Sequence, residues 1–304
     1  MIPRGRYAPS PTGRTHLGNA STALLAWLSI RARDGAFVMR MEDLDRPRVV
    51  AGSAEAILRD LAWLGLDWDE GGDVGGPFAP YAQSERGAWY DAAFARLRSA
   101  GLVYPCFCSR KDIQSAASAP QAPGDELLYP GTCRDLSPGD IASRIAAGAA
   151  PAWRFRVDPV LIPAFIDVVH GRYEAEAGSI GDFVVRRADG VPAYQLAVVV
   201  DDIAMNISEV VRGEDLLAST VRQLLLYRAF AATPPSFAHV PLLLGDDGAR
   251  LSKRHRGVTL WELREAGESP QAIVGRLAYR HGLRRSDTPI AARDLIEGFT
   301  LAVR

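Results

Sequence analysis

The sequence predicts an α/β protein built on a parallel, doubly wound sheet of the Rossmann type. Two observations carry that reading. In the first hundred residues β-prone runs alternate with amphipathic helical runs over short connections, the pattern of a parallel sheet with crossover helices. After a long interruption the alternation resumes near Tyr194 and continues through 210–215, 219–230 and the stretch from His239 onward.

The first element is a joint. Residues 6–19, Arg-Tyr-Ala-Pro-Ser-Pro-Thr-Gly-Arg-Thr-His-Leu-Gly-Asn, read as a strand end, a rigid turn and a helix start. Pro9 and Pro11 fix φ and keep the backbone extended, Gly13 and Gly18 let main chain approach a ligand, and Thr15 is placed to cap a helix over 20–30. Backbone N–H groups at such a start point outward with the positive end of the helix macrodipole behind them, so a nucleotide polyphosphate is a natural occupant. Strand-turn-helix joints are also common as plain connections, and local features leave both readings open.

Residues 37–41 alternate as a second strand that delivers Glu42, Asp43 and Asp45 at its C-terminal end, the ligand edge of an open α/β sheet. Helical spacing of Ala54, Ile57, Leu58, Leu61 and Leu64 predicts a helix over 53–64, capped by Ser53 and stopped by Gly65. A Gly/Pro-rich loop over 69–80 then precedes an amphipathic helix over 83–97.

The rhythm breaks at 104–109, Tyr-Pro-Cys-Phe-Cys-Ser, which leads into an aperiodic Ala/Ser/Pro/Gln/Gly run over 115–125 and then Tyr129-Pro-Gly-Thr-Cys133. On an extended segment Cys106 and Cys108 project from one face, and Tyr129 with Cys133 can close a coordination sphere from across the loop. Zinc is the natural metal for thiolates in tetrahedral geometry, although a phenolate ligand is uncommon. By spacing alone, three buried unliganded cysteines compete with that reading. A short helix over 141–147 and strand-like runs at 153–157, 161–170 and 183–187 complete the interruption. Residues 194–200 form either a buried strand or an apolar helix ending on Asp201 and Asp202, which periodicity does not separate. A strand at 210–215 brings Arg212 and Asp215 to an edge, 219–230 is helical, 239–253 is a strand, a turn and a basic loop, and helical patterns recur at 260–264, 270–281 and 290–295.

At 304 residues, with 48% hydrophobic and 23% charged, the chain is long enough for a full core and two or more units. The N-terminus has no apolar h-region and the most apolar run, 196–200, stops at two aspartates, so neither signal peptide nor membrane span is expected. Three cysteines are too few for a disulfide framework, which points to a reducing, cytoplasmic location. A net charge of -1 excludes a globally basic nucleic-acid coat, while a local basic footprint over 250–256 stays open. Only two of 35 basic residues are lysines, Lys111 and Lys253, so Lys253 marks a position suited to a compact ammonium.

Three stretches now stand at one sheet edge: 9–19, Arg212 with Asp215, and Arg250-Leu-Ser-Lys-Arg254. Together they resemble the class I aminoacyl-tRNA synthetases, His16-Leu-Gly-Asn19 being similar to that class's HIGH signature and 250–254 to its KMSKS loop. The likeness narrows to the glutamate enzymes through 6–13, 40–45, 63–69, 81–86, 194–202 and 211–215, and covers residues 6 to about 256. Asn19 stands where the signature usually ends in His, and Arg250 and Leu251 replace its first Lys and Met; Lys253 is retained.

The resemblance implies a class I aminoacyl-tRNA synthetase-type catalytic domain in two halves, 1–104 and 188–240, with a zinc-bearing insertion at 105–187. The loop and a helical C-terminal piece fill 241–304. Only about fifty residues follow Arg254, so the helical anticodon-binding region of a full glutamyl-tRNA synthetase is expected to be absent. The cysteine set resembles that of the short branch of the family, the glutamyl-Q tRNA(Asp) synthetases, which implies one structural zinc on Cys106, Cys108, Tyr129 and Cys133. The activity so implied is tRNA-independent joining of L-glutamate to ATP, with Mg²⁺ on the polyphosphate, and transfer of glutamate to queuosine in the anticodon of tRNA(Asp), by a monomer. Glutamate would be held by Arg6, Tyr7, Ala8, Pro9, Ser10, Glu42, Tyr194 and Arg212, and ATP by His16, Gly18, Asn19 and Lys253, with His16 and Lys253 as the catalytic groups. A truncated glutamyl-tRNA synthetase charging the 3′ end of tRNA(Glu), and a non-catalytic RNA-binding relative, are the alternatives.

Overall fold

Two β-α-β units meet side by side at the centre of the molecule. The computed structural model describes residues 2–109, 111–113, 128–243 and 258–301, so the 250–254 stretch and Lys253 lie outside the described residues. In the first unit β1 (Arg4–Tyr7) and β2 (Ala36–Met39) pair in parallel across α1 (Leu17–Arg31). In the second, β8 (Glu209–Gly213) and β9 (Ser236–Val240) pair in parallel across α6 (Leu217–Ala229). With β5 (Phe165–Asp167) and β6 (Gly171–Tyr173), the full sheet runs β2-β1-β8-β9-β5-β6. From the β1/β8 boundary the chain winds outward in both directions, which opens a crevice at the C-terminal ends of those two strands.

Helix α1 is buried around most of its circumference, with Leu24, Leu28 and Ile30 almost fully covered. It lies directly on β1 because Gly5 has no side chain: a Cβ there would come within 2.3 Å of Ile30 Cγ1. Its outer face is covered by Leu260, Ile273, Val274 and Leu277 from α7 (Leu260–Glu265) and α8 (Pro270–Arg280), which share one core with Leu24 and Trp27.

Both caps expected from the local sequence are corrected. Helix α1 starts at Leu17 with His16 as its extended N-cap residue and no side-chain cap. Thr15 instead sits buried, and its carbonyl accepts a hydrogen bond from Leu260 N–H at 2.9 Å. Helix α2 (Ser53–Trp63) is preceded by Gly52 at φ 75°, a left-handed position. Ser53 is thus already inside the helix, and its hydroxyl latches the opening turn by bonding both Gly13 N–H (3.0 Å) and Gly13 C=O (2.8 Å). Helix α3 (Gly87–Ser99) begins later than its hydrophobic pattern, after a separate 3₁₀ turn at Gln83–Glu85.

Residues Tyr194–Ala204 are helical and form α5, despite their valine run. The helix is buried from Leu196 to Asp202, so tertiary packing decides where propensity did not. Between α3 and α5 lie an antiparallel sheet of β3 (Val103–Cys106), β4 (Ala152–Phe155) and β7 (Phe183–Arg186), and α4 (Pro138–Ala146). The hairpin of β5 (Phe165–Asp167) and β6 (Gly171–Tyr173) comes from the same stretch yet joins the main sheet, β5 pairing in parallel with β9. Among the described residues no helix is long and apolar enough to cross a membrane.

Candidate active site and metal centre

The two strands flanking the crevice each carry a buried arginine one residue before their C-terminal end. Arg6 on β1 and Arg212 on β8 are both 5% exposed. A guanidinium at that depth is tolerated only when hydrogen-bonded. Arg6 Nε donates to Asp202 Oδ1 at 3.3 Å, and Arg40 donates to the same oxygen at 2.7 Å. Burial pushes the Asp202 carboxyl up, but Arg6 and Arg40 outweigh it and hold the carboxyl below its ordinary range. The adjacent Asp201 accepts from Arg86 (2.6 Å), Gln83 (2.8 Å) and Tyr90 (2.9 Å), so the C-terminal end of α5 is pinned by two ionic anchors.

Arg212 is held from a different side. Its Nε donates to His239 Nε2 at 3.0 Å, one terminal nitrogen to Gln223 Oε1 at 2.9 Å and the other to Thr220 Oγ1 at 2.7 Å. Among the described residues three of its five N–H groups are thereby taken, which leaves two for a ligand. Burial presses the Arg212 pKa down and the nearby Arg6 charge presses in the same direction, against Tyr194, Asp202 and Glu42. Two guanidiniums that repel one another across a crevice gain from an anion placed between them.

Glu42 reaches the site because residues 40–42 run beside the end of β1: Arg40 N–H donates to Tyr7 C=O at 3.1 Å and Glu42 N–H to Pro9 C=O at 2.9 Å. Its carboxylate meets Arg40 at 3.2 Å. Burial nevertheless raises the Glu42 pKa, with Arg40 and Arg6 only partly opposing. A carboxylate so placed favours a cation beside it. Burial likewise raises the Tyr194 phenol at the start of α5, and the Arg212, Glu42 and Arg6 charges all act on it. Arg6, Glu42, Tyr194 and Arg212 therefore form one electrostatically coupled group, as the sequence places them.

Ser10, Glu42 and Tyr194 line a cavity of about 1150 Å³. Ala8 and Pro9 are half-buried at the end of β1. Tyr7 is different: it is buried, and its hydroxyl donates to the Asn19 carbonyl at 3.2 Å, tying the strand to the helix start. At that start Leu17 N–H is taken by Val258 C=O (3.0 Å), and His16 bridges Thr259 as a short antiparallel pair. The Gly18 and Asn19 N–H groups have no acceptor among the described residues, which leaves two donors of the first turn for an anion. The chain emerging from the 244–257 stretch thus returns directly onto this helix start.

The same cavity is also lined by Cys108 and Tyr129. The Sγ atoms of Cys106, Cys108 and Cys133 all lie within 4.8 Å of one another. Tyr129 OH is 3.4 Å from Cys106 Sγ and 3.7 Å from Cys108 Sγ, and it accepts from Cys133 N–H at 2.7 Å. Tetrahedral zinc with ordinary Zn–S bonds would set its sulfurs about 3.8 Å apart, so little adjustment is needed. Burial pushes the Cys108 thiol up to about 11, with Tyr129 opposing and Cys133 adding. Burial also acts upward on Cys133, but hydrogen bonds from Phe107, Tyr129, Cys108 and Cys106 hold it below its usual value. Burial, with the neighbouring thiols adding and the Cys133 N–H opposing, holds the Tyr129 phenol above its ordinary range, and Arg154 lies over its ring at 3.9 Å.

The family model for the catalytic domain of class I tRNA synthetases (E and Q) matches residues 4–300. The chain belongs to that family. The synthetase is 54% identical over 299 residues to a glutamyl-Q tRNA(Asp) synthetase of Symbiobacterium thermophilum, covering 98% of this chain and 92% of the relative. It is 49% identical to a protein of the same description from Nitratidesulfovibrio vulgaris, covering 96% and 90%. Among solved structures, a glutamate tRNA ligase from Elizabethkingia meningosepticum in complex with its amino acid superposes with a TM-score of 0.84 at 30% identity. That match covers 99% of this synthetase and 65% of the ligase.

Residues outside the expected site set support the synthetase's arginines: Asp202, Arg40, Gln223, Thr220 and His239. Asp202 closes an apolar run and Arg40 opens the 40–45 stretch, whereas Gln223, Thr220 and His239 carry no local signal of this role.

Proposed function

We propose that this synthetase activates L-glutamate with ATP in the absence of tRNA and transfers the glutamyl group to queuosine in the anticodon of tRNA(Asp). The observation that carries the reading is the near full-length identity to glutamyl-Q tRNA(Asp) synthetases, 54% over 98% of this chain. A crevice with two buried guanidiniums facing a carboxylate is the chemistry a zwitterionic amino acid with a second carboxylate requires.

In the first step a glutamate carboxylate oxygen bonds to the α-phosphorus of ATP, the bond to the bridging oxygen breaks, and pyrophosphate leaves with its Mg²⁺. Arg6 and Arg212 bind carboxylate, Glu42 the ammonium, and Tyr194 and Ser10 complete the hydrogen bonds, with Tyr7, Ala8 and Pro9 shaping that wall. His16, the N–H groups at Gly18 and Asn19, and Lys253 stabilise charge building on phosphoryl oxygens. In the second step a queuosine hydroxyl attacks the acyl carbon, the bond to AMP breaks, and the hydroxyl proton is released as the ester forms.

Cys106, Cys108 and Cys133, with Tyr129, would hold zinc, whose part there would be to tie these four residues to one another, outside both bond exchanges. The split catalytic domain, 1–104 and 188–240, with an insertion at 105–187 and a C-terminal piece at 241–304, is consistent with a monomer acting in the cytoplasm.

Isotope exchange between ATP and pyrophosphate tests the reading. Exchange with glutamate alone, followed by labelled glutamate on the anticodon of queuosine-containing tRNA(Asp), is the expected result. Exchange that needs tRNA(Glu), with label on the 3′-terminal adenosine, would make the chain a truncated glutamyl-tRNA synthetase. No exchange under any condition would make it an RNA-binding relative.

A further inference from the structure

Three neighbouring strands carry a buried polar chain behind Arg212. Asp167 on β5, His239 on β9 and Arg212 on β8 follow one another across the sheet, and His239 and Arg212 are direct register partners. The side chains of His239 and Asp167 are both 0% exposed. Asp167 Oδ2 lies 2.6 Å from His239 Nδ1, and His239 Nε2 lies 3.0 Å from Arg212 Nε.

Donor and acceptor roles in this chain are forced. Asp167 accepts from three backbone N–H groups, those of Val169 (2.9 Å), His170 (3.0 Å) and His239 (3.2 Å to Oδ2), which suits a carboxylate. Burial acts upward on it, but His239 and the backbone donors hold its pKa below the ordinary range. Nδ1 must then carry the ring proton. On the other side a guanidinium nitrogen has no lone pair to offer, so Nε2 must accept. The ring is therefore neutral with its hydrogen on Nδ1. Burial keeps its pKa below the ordinary histidine value, the Arg212 and His170 charges act the same way, and Asp167 opposes them.

We propose that Asp167 and His239 are positioning residues for substrate selection: by fixing the ring tautomer they commit Arg212 Nε–H to the protein and leave only its terminal N–H groups for the substrate carboxylate. The inference rests on the reading of Arg212 as a carboxylate ligand. Losing the acceptor at Nε2 would free Nε–H, let the guanidinium rotate, and replace one approach geometry by several.

Asp167→Asn is the decisive variant, because it preserves shape while reversing polarity. The amide oxygen stays with the Val169 and His170 N–H donors, the amide nitrogen faces Nδ1, and the ring proton moves to Nε2, where it turns Arg212 Nε–H away and has only the Thr220 hydroxyl, 3.1 Å off, as acceptor. In the exchange assay the KM for glutamate should rise about tenfold or more while the KM for ATP stays within about twofold. His239→Ala should behave alike, and His239→Gln, whose amide oxygen can reach the Nε2 position, should recover most of the loss. Nitrogen chemical shifts of labelled histidine in the folded wild-type protein give an activity-independent readout, with Nδ1 protonated and Nε2 bare expected.

An unchanged glutamate KM in Asp167→Asn, parallel rises in both KM values, or a proton on Nε2 in the wild type would overturn the relay. Arg212→Lys separates the two levels of argument. If that variant leaves the glutamate KM unchanged, the reading of Arg212 itself fails; if it raises the KM and Asp167→Asn does not, only the relay fails.

Discussion

Glu42 and Tyr194 beside the buried arginines, and Cys108 and Tyr129 of the cysteine cluster, line one cavity, yet the two groups are built in opposite ways. The pocket draws Arg6, Glu42, Tyr194 and Arg212 from separate segments, and each arginine is already hydrogen-bonded before a substrate arrives. The cluster draws its groups from residues 106–133, over a small satellite core of Tyr104, Ile113 and Tyr129 with the cysteines themselves. Its polar atoms chiefly face one another. The fold thus supplies the pocket's geometry, whereas the cluster supplies ligands whose geometry a cation would complete.

Arg212→Ala should break the pocket outright. It removes the proposed carboxylate ligand and leaves His239, Gln223 and Thr220 without their shared donor, so kcat/KM for glutamate in the exchange assay should fall by about 10²–10³ with secondary structure retained.

The next effect is a pH dependence. Burial raises the Glu42 pKa, so the carboxylate that would face the ammonium is lost at a higher pH than for a free glutamate side chain. The glutamate KM should rise as pH falls through that raised value, by up to about tenfold per pH unit, and Glu42→Gln should flatten the profile while raising the KM throughout.

At the cluster, the wild type should carry one equivalent of zinc by elemental analysis. Cys133→Ala should lose it and melt about 5 °C or more lower, with a smaller change in glutamate KM than Arg212→Ala produces. A glutamate KM disturbed equally by both variants would erase the contrast between the two groups. The smallest expected effect is that of Ser53→Ala, which unlatches Gly13 and should cost about 1 kcal/mol in chemical denaturation.

What could be read from the chain follows the range of the forces involved. Periodicities of two and 3.6 residues place β2, α2 and α6 close to their observed spans, because each depends on which face its own side chains bury. Arg6, Glu42 and Arg212 were legible as edge residues for the same reason, since strand ends in a parallel sheet gather on one side. The caps at Thr15 and Ser53 were not, because Ser53 has its partner at Gly13, 40 residues away. The ties of Arg6 to Asp202 and of Arg212 to His239 span 196 and 27 residues and leave no local pattern. Tyr194–Ala204 was ambiguous because a valine-rich run is apolar in either period, and burial against neighbouring elements made the choice.

The position of β1 between β2 and β8 has a consequence for biosynthesis. Arg4 bonds Ser208 across 204 residues of chain. At typical translation rates of roughly 5–20 residues per second, the first strand waits on the order of ten to forty seconds for its second neighbour to leave the ribosome. During that interval the β1-α1-β2 unit has one open, hydrogen-bonding edge and a helix whose apolar outer face still lacks the C-terminal helices that cover it. The nascent chain is therefore most exposed to misassociation over its first two-thirds, and chaperone crosslinking to stalled chains should decline once residues 209–240 have emerged.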